Sequence, residues 1–149
     1  MECQSYRFQY EDEPSIDYVT KYIATTQQRY TQKGGTRPFG VSCFVAGFKS
    51  ETEPKLYMTE PSGSLTSWKA NAIGKNAKNL REYLEKNYKE DMDEAATVRL
   101  GVETLLETVE SEKNIEIAIM RKDKKTVFVS EEELNKVVEV IKKAKEDAK

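Results

Sequence analysis

The spacing of apolar residues predicts a helix near the start of the chain. Between residues 16 and about 32, apolar side chains recur at every third or fourth position, namely Ile16, Val19, Ile23 and Tyr30. Ser15 is placed to cap this helix, and the Gly34-Gly35 pair ends it. Before it, the acidic run 11–13 and Pro14 break the chain. The sequence therefore predicts one buried helical stripe beginning at Ile16.

The next segment predicts antiparallel strands. Residues 37–48 are apolar on both alternations, which is typical of a strand covered on both faces. A polar turn at 49–54 leads to a second strand at 55–59, a hairpin partner of the first. A turn at 60–63, with proline and glycine, leads to a short third strand at 64–69. Three consecutive strands joined by short turns favour antiparallel pairing.

Two helical patterns follow back to back, separated by Glu90 and Asp91. The first has apolar positions at Ile73, Ala77, Leu80, Leu84 and Tyr88. The second has them at Ala95, Val98, Val102, Leu105, Leu106 and Val109. Both stripes have the spacing of an amphipathic helix with one buried face.

The last third predicts a strand hairpin and a final helix. Ile115, Ile117 and Ile119 alternate as in a strand, and residues 123–125 turn the chain into a second strand at 126–129. Ser130 and Glu133 form a capping box. The helix that they begin has its apolar positions at Leu134, Val137, Val138 and Ile141. Two adjacent helices between strand hairpins disfavour a doubly wound parallel sheet and favour an α+β fold with antiparallel sheets.

Composition excludes several classes of function. The 149 residues carry 24 Lys plus Arg and 26 Asp plus Glu, so no basic excess points to nucleic acid or an acidic membrane, and we expect neither as a partner. The sequence has no His, which excludes Ser-His and Cys-His catalytic pairs. Cys3 and Cys43 have no metal-site spacing. We therefore expect no catalytic residue, no metal and no cofactor.

Three groups of residues have both a functional and a purely structural interpretation. The acids at 11–13, with Glu51 and Glu53, could serve a metal or acid-base chemistry, but solvated loops are favoured. The basic run 121–125 could touch phosphate, but a polar hairpin turn is favoured. Five tyrosines fall in the first thirty residues and suit either a protein interface or ordinary core packing: Tyr6, Tyr10, Tyr18, Tyr22 and Tyr30. That choice stays open.

Several separate motifs, in order along essentially the whole chain, resemble one family. They are YVTKYIA (18–24), QRYTQ (28–32), RPFGVS (37–42), LYMTEPSGS (56–64), WKANAIGKNAK (68–78), LEKNY (84–88) and KNIE (113–116). The chain resembles the proteasome alpha-type subunits, and within them the type-7 branch. The resemblance implies the N-terminal-nucleophile hydrolase fold, in which two antiparallel sheets lie between helical layers. Residues 1–149 would be the C-terminal part of one such domain, a large N-terminal part lying outside the chain.

The resemblance also implies a function without catalysis. Alpha-type subunits form the outer rings of the 20S proteasome core particle, where they support ring assembly, gating and ubiquitin-dependent degradation in cytoplasm and nucleus. The implied partners are neighbouring alpha subunits and beta subunits. The resemblance also implies a preceding helix whose end lies at Glu2–Tyr10. The turn between it and the helix beginning at Ile16 would contact the beta ring, and its residues are Tyr10, Glu11, Asp12, Glu13 and Pro14. The family's gating and activator-binding segments do not map onto this chain.

Two other functions stay open. A threonine-type endopeptidase of the same fold would need a free N-terminal Thr, whereas this chain begins with Met1. An unrelated self-associating interaction domain is the second alternative.

If the family's N-terminal part is absent, strand edges and apolar faces are uncovered, so we expect this chain to pair with another copy of itself.

Overall fold

The computed structural model describes residues 1–50, 53–108, 115–121, 123 and 125–147. Two units are formed: one from the described residues of 1–69 with Asp123, the other from those of 70–121 and 125–149. None of the helices within these ranges is long and apolar enough to cross a membrane. The predictions for Glu51, Val109, Lys122 and Lys124, and for Lys113 and Asn114 of the KNIE motif, lie outside the described residues.

The first unit begins with two helices. Helix α1 (Glu2–Tyr10) is followed by helix α2 (Ile16–Gln32). The Ser15 hydroxyl accepts a hydrogen bond from the Tyr18 amide at 3.2 Å, which confirms the predicted cap. The buried stripe is offset from the predicted one and comprises Ile16, Thr20, Ala24 and Gln27. Val19 and Ile23 are half-buried and Tyr30 is exposed, so the predicted stripe is only partly correct.

Two polar residues of this stripe are buried and donate hydrogen bonds to backbone carbonyls, Thr20 within the helix and Gln27 to a residue outside it. The Thr20 hydroxyl donates to the Ile16 carbonyl at 2.7 Å, and the Gln27 amide donates to the Val41 carbonyl at 3.1 Å. A pattern of apolar residues alone cannot reveal such positions, because hydrogen bonds offset the cost of burying these polar side chains.

Helix α2 packs on a three-stranded antiparallel sheet, which confirms the predicted hairpins. The strands are β1 (Cys43–Ser50), β2 (Glu53–Thr59) and β3 (Leu65–Trp68), in the order β1-β2-β3. The turn before β3 is closed by the Gly63 amide donating to the Glu60 carbonyl at 2.8 Å. Strands β1 and β2 extend to Ser50 and Glu53, so the predicted turn at 49–54 is too long.

Two predictions for β1 are wrong. The strand begins at Cys43 rather than residue 37, because its partner β2 ends opposite it at Thr59 and then turns at Glu60. Nor is it covered on both faces. Cys43, Val45 and Gly47 are half-buried toward α2, where Gly47 lies against the Ile16 side chain. On the other face Phe44 and Ala46 are exposed and Phe48 is half-buried.

The second unit contains helices α3 (Ala77–Asn87), α4 (Glu94–Leu106) and α5 (Glu131–Asp147), with a hairpin of β4 (Ala118–Met120) and β5 (Thr126–Phe128). Within this unit the predicted order of two helices, two strands and a helix is confirmed. The first strand is shorter than predicted, because it begins at Ala118 and leaves Ile115 and Ile117 before it. Helix α3 starts four residues after Ile73, because Gly74 and Asn76 have positive φ values of 99° and 60° that interrupt a right-handed helix.

One apolar cluster holds the second unit together. Its buried members are Val102, Ile115, Leu134, Val138 and Ile141, with half-buried neighbours packed around them. The capping box of α5 is confirmed: the Ser130 amide donates to the Glu133 carboxylate and the Glu133 amide donates to the Ser130 hydroxyl, both at 3.3 Å.

The predicted stripe of α4 is partly wrong. Leu100 and Thr104 are buried, although the stripe omitted them, and Ala95 and Leu105 are exposed. Helix α4 packs against both α3 and α5, so its buried surface is wider than a single stripe.

Candidate functional site at the first helix–helix turn

The candidate site is the turn between α1 and α2, which we call the elbow (residues 10–14). Helix α1 ends at Tyr10, and Glu11 adopts a left-handed conformation with φ 54°. Its amide donates to the Arg7 carbonyl at 2.9 Å, which satisfies an acceptor at the end of the helix. The Glu13 amide then donates to the Asp12 carboxylate at 2.7 Å. Pro14 leads directly to the Ser15 cap of α2, so two helix caps bracket the elbow.

An ion pair in which two donors share one oxygen fixes the path of the elbow. Arg7 donates through Nε and Nη2 to Oε2 of Glu13, at 2.9 and 2.7 Å. Both side chains are more than half exposed. We therefore expect the pair to orient the elbow but to add little to the free energy of unfolding.

Three tyrosines join α1 to α2. The rings of Tyr10 and Tyr18 each lie 4.6 Å, centroid to centroid, from the ring of Tyr6. The Tyr18 hydroxyl donates to the Glu2 carboxylate at 2.9 Å, and this hydrogen bond raises the pKa of the Tyr18 phenol above its ordinary value. No residue of α1 is buried, so these ring contacts and polar contacts carry its attachment to α2.

The surface formed by the elbow is open. Tyr10 is 58% exposed, Phe8 is 92% exposed, and Glu11, Asp12 and Glu13 are all exposed, with Pro14 half-buried. Tyr18, Tyr22 and Tyr30 are exposed as well. The core-packing alternative for the tyrosines is therefore wrong for four of the five. Exposed aromatic side chains are enriched where proteins contact one another, so the tyrosines favour a protein interface here.

Sequence reasoning placed the five elbow residues together and missed the residues that hold them. Arg7 and Glu2 carry no signal of their own, because each bonds to a side chain that the fold brings close. Tyr6 and Tyr18 had a usable signal in the clustering of tyrosines, but their pairing depends on the angle between the two helices.

Outside the elbow, Glu53 and Arg121 each form an ion pair. Glu53 lies in β2, not in a loop as predicted, and bonds to Lys55 at 2.7 Å, which lowers the pKa of the Glu53 carboxyl. Arg121 forms a bidentate pair with Glu94 at 2.8 and 3.0 Å, which lowers the pKa of the Glu94 carboxyl. Within the part of the chain that the structure describes, no three Cys, Asp or Glu residues are grouped as a metal ion would require.

Comparison with known proteins decides the family. The family described as "Proteasome subunit" matches residues 1–120 of this chain. The chain belongs to the proteasome subunit family. The match confirms the predicted resemblance and the α+β fold with antiparallel sheets, and it argues against an unrelated interaction domain.

Individual relatives in this family are similar along almost the whole chain. The proteasome subunit alpha type-7 of Dictyostelium discoideum is 52% identical over 98% of this chain. The alpha type-7 subunit of Cicer arietinum is 48% identical over 97%, and the alpha type-8 subunit of Mus musculus is 45% identical over 99%. The aligned regions cover 58%, 59% and 60% of those three proteins, so this chain spans about three-fifths of their length.

Proposed function

We propose that this chain acts as a non-catalytic structural subunit of the outer alpha ring of the 20S proteasome core particle. The observation that carries the proposal is the 45–52% identity to proteins named proteasome alpha subunits, along almost all of this chain. Through that ring it would support assembly, gating and ubiquitin-dependent protein degradation, in cytoplasm and nucleus. Its partners there would be neighbouring alpha subunits and beta subunits.

The side chains of this sequence support a role without catalysis. General acid–base or nucleophilic catalysis near neutral pH most often uses histidine, which the sequence lacks. The described carboxylates with lowered pKa values, Glu53 and Glu94, each have a cationic partner and are committed to ion pairs. What the chain offers is packing surface.

The elbow is the part of that surface that we assign to the contact with the beta ring. Ion pairing by Glu13 and two helix caps restrict its backbone, so a partner would meet a shape that is already formed. Tyr10 supplies an exposed ring, and Asp12 an exposed charge that sets which partner surface fits.

We also propose the finer fold of the family, the N-terminal-nucleophile hydrolase arrangement, with residues 1–149 as the C-terminal part of one domain. Support comes from the face of the β1-β2-β3 sheet opposite α2. By the strand register this face holds mostly apolar side chains, namely Phe44, Ala46, Phe48, Pro54, Leu56, Met58, Thr66 and Trp68. An apolar face of this kind suits a second antiparallel sheet stacked on it.

Co-sedimentation with the core particle tests the ring role and the elbow separately. A tagged chain is expressed in cells and its share in the core-particle fractions of a density gradient is measured. We expect the wild-type chain to sediment with beta subunits. Asp12→Lys should reduce that share several-fold, and Asp12→Asn, which keeps the acceptor for the Glu13 amide, should reduce it less.

The matched control is Glu139→Lys, the same charge reversal at an exposed position in α5. It should leave the share unchanged. A wild-type chain that sediments apart from beta subunits would rule out the ring role. Equal incorporation of all four chains would keep the ring role and rule out the elbow as a contact.

A further inference from the structure

The end of α2 next to the elbow meets two neighbouring strands of the sheet. Ile16 and Asp17, the first two residues of the helix, follow the elbow directly after the Ser15 cap. Ile16 contacts β1 and Asp17 contacts β2, and these two strands are paired with each other. Since neighbouring strands lie about 4.8 Å apart, contacts on both can fix how the helix is turned on the sheet.

The contact with β1 is apolar. A Cβ at Gly47 would lie 3.0 Å from the Ile16 Cδ1 atom, so the helix approaches this strand closely where the strand has no side chain. Ile16 is buried, and it is the one large aliphatic side chain of the buried stripe, whose other members are Thr20, Ala24 and Gln27. Apolar burial is non-directional, so this contact holds the helix down without setting its rotation.

Tyr57 makes the directional contact with β2. Its hydroxyl donates to the Asp17 carboxylate at 2.6 Å. Both side chains are half-buried, and a hydrogen bond to a charged acceptor in such a place is stronger than one between neutral groups in water. Asp17 follows Ile16 by one residue and therefore lies about 100° further around the helix. The bond thus holds a second side of α2.

Helix α1 follows α2. The tyrosine ring contacts and the ion pair between Arg7 and Glu13 join α1 to α2 and to the elbow, and no residue of α1 is buried. A rotation of α2 would therefore carry the elbow and α1 with it. The direction of the elbow is set where α2 meets the sheet.

We propose that Tyr57 is a positioning residue for the elbow. Ile16 against Gly47 is the pivot, and the hydrogen bond from Tyr57 to Asp17 fixes the rotation of α2 about it, so that the elbow points in one direction. All four residues belong to the first unit, and their contacts with one another need no exposed surface. The use of that direction, a contact with the beta ring, rests on the proposed function.

Distances between spin labels measure the rotation of α2. The labels are attached at Lys21→Cys, an exposed position of α2, and at Ala46→Cys, on the sheet face opposite α2, in a background of Cys3→Ser and Cys43→Ser. Labelled chain is diluted with unlabelled chain, so that double electron–electron resonance reports distances within one molecule. We expect one narrow distribution when Asp17 and Tyr57 are both present. Tyr57→Phe, which removes only the hydroxyl, should widen it about twofold.

Substitutions at Asp17 separate the hydrogen bond from the charge. Asp17→Asn keeps an oxygen that accepts from the Tyr57 hydroxyl, so it should retain the narrow distribution. Asp17→Ala should widen it as Tyr57→Phe does, and the double variant should be no wider than either, because both substitutions remove the same bond. An unchanged distribution in Tyr57→Phe would overturn the positioning role, and so would equal widening by Asp17→Asn and Asp17→Ala.

Incorporation into the core particle tests the use of that direction. In the density gradient described above, Tyr57→Phe should lower the share of the chain in the core-particle fractions several-fold. Thr66→Val is the matched control, because it also removes one side-chain hydrogen bond, which the Trp68 indole donates at 2.7 Å on the opposite face of the same sheet. It should leave the share unchanged.

The two measurements separate this proposal from the ring role. An equal loss of incorporation in Tyr57→Phe and Thr66→Val would overturn the link between Tyr57 and the beta-ring contact. If the wild-type chain sediments apart from beta subunits, the proposed function fails, and the label distances still decide whether Tyr57 positions the elbow.

Discussion

The elbow and the apolar cluster of the second unit are held by different kinds of interaction. Around the elbow, α1 buries no residue and is attached by tyrosine rings, one exposed ion pair and hydrogen bonds. In the second unit, five buried aliphatic side chains from α4, α5 and the segment before β4 pack together. The cluster is built for stability, whereas the elbow keeps large side chains at the surface, where a partner can reach them.

The largest expected effect is in the apolar cluster. Ile141 is 1% exposed, so Ile141→Ala should lower the free energy of unfolding by about 2–5 kcal/mol, because it removes buried area and leaves a cavity. Phe8→Ala removes a larger side chain that is 92% exposed, and it should change that free energy by less than about 0.5 kcal/mol. Urea denaturation followed by circular dichroism measures both. Equal losses of unfolding free energy in the two variants would contradict the claim that the cluster, and not the region of the elbow, provides stability.

The turn before β3 should give the next largest effect. Gly63 has φ 85°, and a Cβ there would lie 2.4 Å from Cβ of Gln28 in α2. Gly63→Ala should therefore destabilise the first unit by about 1–3 kcal/mol, through backbone strain and displacement of α2.

Gly34 provides the control for this substitution. A Cβ at Gly34 would have no other atom within 4 Å, and its φ is not in the left-handed region. Gly34→Ala should be neutral or stabilise by about 0.4–1 kcal/mol. If both substitutions cost the same, the close approach of the turn to α2 is not what requires glycine.

The sequence pattern predicts more of the apolar cluster than of the contacts around the elbow. Leu134, Val138 and Ile141 follow the helical period, and the capping box at Ser130 depends only on neighbours in sequence. The offset stripe of α2 was missed, since Thr20 and Gln27 are buried through hydrogen bonds that the pattern does not show. The late start of β1 was also missed, because a strand extends only as far as its partner does.

The capping box of α5 should have an effect of intermediate size on the free energy of unfolding. Ser130→Ala removes the acceptor for the Glu133 amide and should cost about 0.5–2 kcal/mol, measured as a shift in the denaturation midpoint. Ser130→Asp, which keeps an acceptor at the cap, should restore most of the loss. A full loss with aspartate would indicate that the hydroxyl has another role.

The smallest effect is a pH dependence in the first unit. The Tyr57 hydroxyl donates to the Asp17 carboxylate at 2.6 Å and links β2 to α2, and this hydrogen bond raises the pKa of the Tyr57 phenol. Because the folded pKa lies above the unfolded value of about 10, the contribution is complete below that pH and is lost as pH rises through the folded pKa. Stability measured between about pH 9 and 11 should fall less for Tyr57→Phe than for the wild type. An identical fall in both would exclude Tyr57 as the source.

Site-specific photo-crosslinking at the elbow tests the central claim most directly. A benzophenone amino acid, which keeps an aromatic ring at this exposed position, replaces Tyr10 in the tagged chain. Assembled core particles are isolated and irradiated, and the cross-linked peptides are identified by mass spectrometry. The proposed ring role predicts adducts between position 10 and a beta subunit. Adducts confined to other copies of this chain, or a chain absent from the core particle, would contradict it.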